Sequence, residues 1–138
     1  MAYATLADLI DRFREQELIQ LTDPAALAID QVVIAKALTD ADADIDMYLA
    51  ARHTLPLASV PRVLIGIACD LARAYLYEDR ITDHVRKRME DATAKLKSLS
   101  RGETNLGLNA AAAQTPTAGG PRATERSRAF GRDLLGDY

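Results

Sequence analysis

Apolar residues recur at steps of three and four through most of the first hundred positions of this chain, and that spacing predicts helices. Leu6, Leu9, Ile10 and Phe13 give a first short apolar face. Thr5, followed three residues later by Asp8, marks its start. The hydroxyl can accept from a backbone N–H that has no partner within the helix, and the carboxylate can reach back. Leu18 and Leu21 lead into LTDP, where Asp23-Pro24 punctuates the chain. A second helix is expected to start near Pro24, since proline is tolerated in a first turn, and to end near Arg52. Its seam is Ile34, Leu38, Ala41, Ile45 and Tyr48. HTLPLASVP, 53–61, reads as a loop. A third helix starts near Pro61 and runs through RVLIGIACDLARAYLYED. From Val63 to Cys69 it is apolar apart from Gly66, so two turns have no polar face, which places this helix at the centre of a bundle. Gly66 either lets a neighbouring helix approach closely or is simply tolerated. A fourth helix starts near Thr82-Asp83, carries Val85, Met89, Ala92, Leu96 and Leu99, and stops at Gly102. The expected fold is all-α: a small antiparallel bundle of about four helices over 1–102, followed by an extended C-terminal arm over 103–138.

Composition agrees with the helices. The 138 residues are 49% hydrophobic but 5% aromatic with no Trp, and much of the apolar content is Ala and Leu, which lose little freedom in a helix. From 103 onward the chain is rich in Ala, Gly, Thr, Pro and Arg and has no long apolar period, so it cannot build a core of its own. This arm is expected to order only against a neighbour. Charge shifts at the same place. Residues 1–100 carry 12 basic and 16 acidic side chains, whereas 101–138 carry 5 and 4. An acidic body has no field that attracts nucleic acid. One cysteine, Cys69, leaves no internal disulfide and no four-cysteine zinc site, and its apolar surroundings suggest a buried structural thiol. No signal peptide and no membrane-length apolar run are visible, which reads as a soluble protein made in the cytoplasm with no membrane partner.

The most suggestive chemistry is TDADADID, with Asp40, Asp42, Asp44 and Asp46 at every second position. A calcium loop starting at Asp40 would need glycine at its sixth position and glutamate at its twelfth; Ile45 and Ala51 stand there. On a helix, Asp40 and Asp44 instead fall on one flank of the apolar seam and Asp42 and Asp46 on the other. They read as a solvated or interface-bordering surface. His53 and His84 lie in different elements, each without ligand-spaced neighbours. No nucleophile elbow, phosphate loop, zinc or dinucleotide pattern is present, and no carboxylate sits in a local context that would desolvate it. Catalytic, metal and cofactor sites are therefore not expected, and the chain does not read as an enzyme. HVRKRMEDATAKLK, 84–97, is locally basic, but Glu90 and Asp91 interrupt it and no aromatic residue is interleaved. It suits a solvated or protein-facing helix; a nucleic-acid-contacting regulator using 86–97 is the alternative. The arm's RATERSRAFGRDLLGDY is the stronger partner-binding candidate. Arg122, Arg126, Arg128 and Arg132 can pair with carboxylates, and Phe130, Leu134, Leu135 and Tyr138 can anchor.

Taken in order, YATLADLIDRF…ELIQLTD, IDMYLAARHTLPL and P-x-x-L-x-x-x-A-x-D-x-A-x-x-Y-L resemble the head–tail connector (adaptor) proteins of Mu-like phages and prophages. The likeness covers about residues 3–100 and rests on Ile45, Asp46, Tyr48, Leu49, Ala50, Arg52 and Leu55-Pro56-Leu57, then Pro61, Leu64, Ala68, Asp70, Ala72, Tyr75 and Leu76. His53 departs from it, standing where an aromatic residue is often seen. The resemblance implies a non-enzymatic helical subunit of a virion neck, assembled in the host cytoplasm. It further implies a homo-oligomeric ring, commonly of twelve, between the portal protein and a stopper or tail terminator. DNA would pass through such a ring without sequence-specific recognition, and the C-terminal segment would reach the portal or neighbouring subunits. It also implies anchoring roles for Tyr48 and Tyr75, a loop-fixing role for Leu55-Pro56-Leu57, and bundle or inter-subunit polar contacts for Arg52 and Asp70.

Overall fold

A computed structural model describes residues 1–108. Five α-helices and one 3-10 turn follow in order: α1 (Leu6–Phe13), α2 (Glu15–Thr22), α3 (Gln31–Leu49), α4 (Arg62–Tyr77), the turn Glu78–Arg80, and α5 (Asp83–Arg101). The long helices α3, α4 and α5 form the bundle, and α1 and α2 pack against α4. The all-α expectation holds. The core joins Leu9 and Phe13, Ile34, Ala41, Ile45 and Leu49, Leu64, Ile67 and Leu71, and Leu96 and Leu99 into one cluster. Helix α4 is its axis, since every other helix touches it. Val63 is an exception to the expected burial of this helix, being 47% exposed. It sits in the first turn beside Leu64, which is fully buried.

The first fifty residues depart from expectation. A separate helix, α2, occupies 15–22, and Arg14 (φ 71, ψ 145) breaks it from α1. The third element begins at Gln31 rather than near Pro24. Asp23 accepts from the Ala26 N–H at 3.1 Å, turning the chain at Pro24, and Leu27 adopts φ 52. Asp30 then caps α3 by accepting from the N–H groups of Val32 and Val33. Local side-chain acceptors thus outcompete the helical start that proline permits. Helix α3 ends at Leu49, short of Arg52, and α4 at Tyr77, short of Asp79, while the start of α1 and both ends of α5 fall where the sequence puts them. Thr5 and Asp8 form a reciprocal capping box. Thr82 accepts from the Val85 N–H, and Gly102 closes α5 at φ 75. Gly66 makes room for a side chain rather than a helix backbone: a Cβ there would lie 3.4 Å from the Arg12 guanidinium of α1.

Candidate interaction surface

The aspartate run lies on α3, and its two flanks meet different parts of the molecule. On one flank, Asp42 accepts from the Tyr3 N–H at 3.0 Å. Asp46 accepts from the Tyr3 hydroxyl and, at 2.8 Å, from the Met1 ammonium. These contacts strap residues 1–5 along α3 and leave Tyr3 only 3% exposed. Burial, then the bond to Asp46, pushes the Tyr3 phenol above its ordinary value. Burial also raises the Asp42 carboxyl, against the opposing Tyr3 N–H bond. The ammonium is raised, chiefly by its bond to Asp46. On the other flank, Asp44 accepts from the Tyr75 hydroxyl of α4. Of the two readings, solvated or interface-bordering, the contacts fit the second, and the expectation that no carboxylate is desolvated is corrected at Asp42. The flanks of a helical seam are where neighbouring segments come closest, and those neighbours bring phenols.

Tyr75 lies between two grooves and lines both. An aromatic side chain on a helix leans toward the N-terminus of that helix, so Tyr75 lies back along α4 between them. The larger groove, about 630 Å³, lies where α2 ends, α3 begins and α4 gives way to the 3-10 turn; Val33, Lys36, Asp40, Glu78 and Asp79 line it. Glu78 leaves α4 at φ 47, a conformation few side-chain-bearing residues adopt, and this swings the turn across the groove's end. Among the described residues Asp40, Glu78 and Asp79 form no ion pair. Lys36 and Arg80 stand on the same groove. The smaller groove, about 240 Å³ between α3, α4 and α5, is lined by Asp44, Met47, Tyr48, Leu71, Met89 and Leu96. Met47 is 64% exposed, and beside the larger groove Val32 is 78% exposed. An acidic groove beside a thioether-lined one suits a segment that carries cations next to apolar side chains, because methionines adapt to varied shapes.

Arg52 and Asp70 do not meet. Arg52 donates to the carbonyl of Arg101 at 3.2 Å, placing a cation at the negative end of α5. Asp70 accepts two bonds from Arg88, at 3.0 and 3.3 Å, joining α4 to α5. That pair withdraws one cation from the basic 84–97 stretch. Lys87 makes a loose surface pair with Asp91 at 3.9 Å, and Arg86, Lys95 and Lys97 are exposed. Tyr48 is half-buried in the small groove, and Leu55 and Leu57 pack on the core across a cis Leu55–Pro56 peptide. Arg73 of α4 lies over the Phe13 ring at 4.4 Å and donates to Glu17 at 2.7 Å, a link between α1, α2 and α4 that no local motif announces. Cys69 is buried, and burial pushes its thiol up to about 11. Among the described residues no group of three or more His, Cys, Asp or Glu side chains is placed to hold a metal ion, and no helix is long and apolar enough to cross a membrane. Arg122, Arg126, Arg128, Phe130, Arg132, Leu134, Leu135 and Tyr138 lie outside the described residues.

The fold thus defines a small helical module whose accessible features are grooves between helices. Comparison with known proteins places it more closely. The chain matches the family described as bacteriophage Mu Gp36 over residues 3–125 and belongs to that family. It is similar to the Mu-like prophage FluMu protein gp36 of Haemophilus influenzae, 38% identical over 108 residues that cover 78% of this chain and 77% of that protein. It is also similar to gene product J of Escherichia phage Mu, 37% identical over 118 residues and covering 84% of each. Membership with phage and prophage proteins points to a phage structural or morphogenetic protein.

Proposed function

We propose that this chain is a head–tail connector subunit of a Mu-like phage particle, assembled as a ring between the portal protein and a stopper or tail terminator. The observation that carries the reading is the extent of the family match. It runs through the helical body and on to residue 125, past the uncharged stretch 104–121 and into the arginine segment of the arm. A helical body with grooves between its helices, followed by an arm whose composition cannot build a core, suits a chain that holds neighbours. Ring number twelve follows from the resemblance and is part of the proposal. The test is negative-stain imaging of the full chain mixed with the portal protein of the same phage. Rings stacked on the portal are expected, and deletion of 109–138 is expected to abolish the stacking while leaving the thermal melt unchanged. If the full chain ignores the portal but binds duplex DNA with a steep salt dependence, the regulator reading through 86–97 replaces this one.

A further inference from the structure

We infer that the two grooves lined by Tyr75 receive the arginine-rich segment 122–135 of a second copy of this chain. The inference deepens the connector reading by naming the contact through which copies hold one another. It rests on that reading only in requiring that copies meet.

Chemistry selects the occupant. The larger groove presents Asp40, Glu78 and Asp79 without ion-pair partners among the described residues, against Lys36 and Arg80. Asp44, bonded to the Tyr75 hydroxyl, adds a carboxylate to the smaller groove, which also offers the apolar surface of Met47 and Met89. A matching segment needs cations followed by unburied apolar side chains. Helix α5 has the cations, but its apolar residues Val85, Ala92, Leu96 and Leu99 are spent inside the bundle. Segment 122–135 carries Arg122, Arg126, Arg128 and Arg132 against Glu125 and Asp133, with Phe130, Leu134 and Leu135 clustered toward its end. Arginines over the acidic groove leave those apolar residues in register with the methionine-lined one. Guanidinium–carboxylate forks then set orientation, and the desolvated apolar anchors hold.

Placement accommodates a second copy. The Arg52 contact fixes the C-terminal end of α5 beside the loop that follows α3, whereas the larger groove opens where α3 begins and α4 ends. Those two ends are separated by the length of α4, roughly 24 Å for 16 residues at 1.5 Å each. An arm reaching its own groove must double back along the bundle. A neighbour placed head to tail brings its groove to the arm's exit. The contact joins unlike surfaces, so it propagates from copy to copy and closes a ring where the rotation permits.

The test uses cysteine pairing between full chains. Buried Cys69 stays out of the exchange, so one chain carrying Lys36→Cys is mixed with another carrying Ser127→Cys under mild oxidation, with no other protein present. The expected product is a disulfide-linked dimer formed only in the mixture, and lost when Asp40→Asn, Glu78→Gln and Asp79→Asn are added to the Lys36→Cys chain. Circular dichroism checks that this variant keeps its helices. No linked dimer, or one whose yield ignores the three neutral substitutions, overturns the inference. A chain carrying both cysteines that links only to itself overturns the assignment to a second copy. Failure here leaves portal stacking untouched as a separate readout, and loss of portal stacking leaves this linkage intact.

Discussion

A phenol buried beside a carboxylate is harder to ionise than one in water, and Tyr3, Tyr75 and Tyr77 are each placed that way. Burial is the larger cause in all three, and the bonds to Asp46, Asp44 and Glu17 add to it. In the unfolded chain the same phenols titrate at about pH 10. Below that pH both states keep the proton and the contribution to stability is complete. Above it the unfolded state releases protons that the folded state retains, so stability falls as pH rises. The urea midpoint is therefore expected to hold up to about pH 10 and to fall as pH rises further, and Tyr75→Phe is expected to lessen the drop by removing one of the three phenols. At neutral pH the same substitution removes a hydrogen bond to a half-buried carboxylate and should cost about 1 kcal/mol, read from denaturant unfolding. An unchanged alkaline slope would show that Tyr75 ionises as freely in the fold as in water.

Helix ends can depend on single residues. Helix α5 shows this most plainly, with Thr82 accepting at its start and Gly102 in a left-handed conformation at its finish. Thr82→Ala removes the acceptor and should cost about 1 kcal/mol. Gly102→Ala forces a Cβ into φ 75 and against the Arg52 guanidinium. The guanidinium can move, so the conformational term of about 1 kcal/mol dominates. The two sites are separated by the 19 residues of the helix, roughly 28 Å, and share no partner. Their costs should add in the double variant, which equilibrium unfolding of the four proteins measures. Helix α3 obeys the same rule at its start, where Asp30 rather than Pro24 sets the first turn.

For the molecule as a whole, α4 is the element on which the others depend. Ile67, 2% exposed, faces the common core, whereas Val63 one turn earlier is 47% exposed. Ile67→Ala should cost about 2–5 kcal/mol through lost burial and the cavity left behind, and Val63→Ala less than about 0.5 kcal/mol beyond its small propensity gain. Paired denaturant curves read both. Comparable losses would mean that Val63 is covered by a neighbouring copy in solution. Among the described residues the core cluster draws its buried members from residues 3–99, so the helical body holds a core of its own.

Periodicity and end signals were enough to determine the helical class, the seams of α3 and α5, the central place of α4, the caps at Thr5, Thr82 and Gly102, and the acidic flanks of the aspartate run. All of these depend on residues within one or two turns of each other, where backbone geometry alone brings side chains together. The break at Arg14 and the late start of α3 were not legible, because a hydrogen bond from Ala26 to Asp23 competes with a helix on nearly equal terms and packing decides between them. The candidate surface was legible only in halves. Asp40 and Asp44 could be placed on one flank, and Tyr75 could be seen as an anchor, but the grooves exist because antiparallel packing sets residue 75 against residues 40 and 44. Likewise Asp70 finds Arg88, and Arg52 finds the end of α5, across separations that no local spacing encodes. Contacts between helices depend on register and rotation, which the tertiary structure fixes by filling the core.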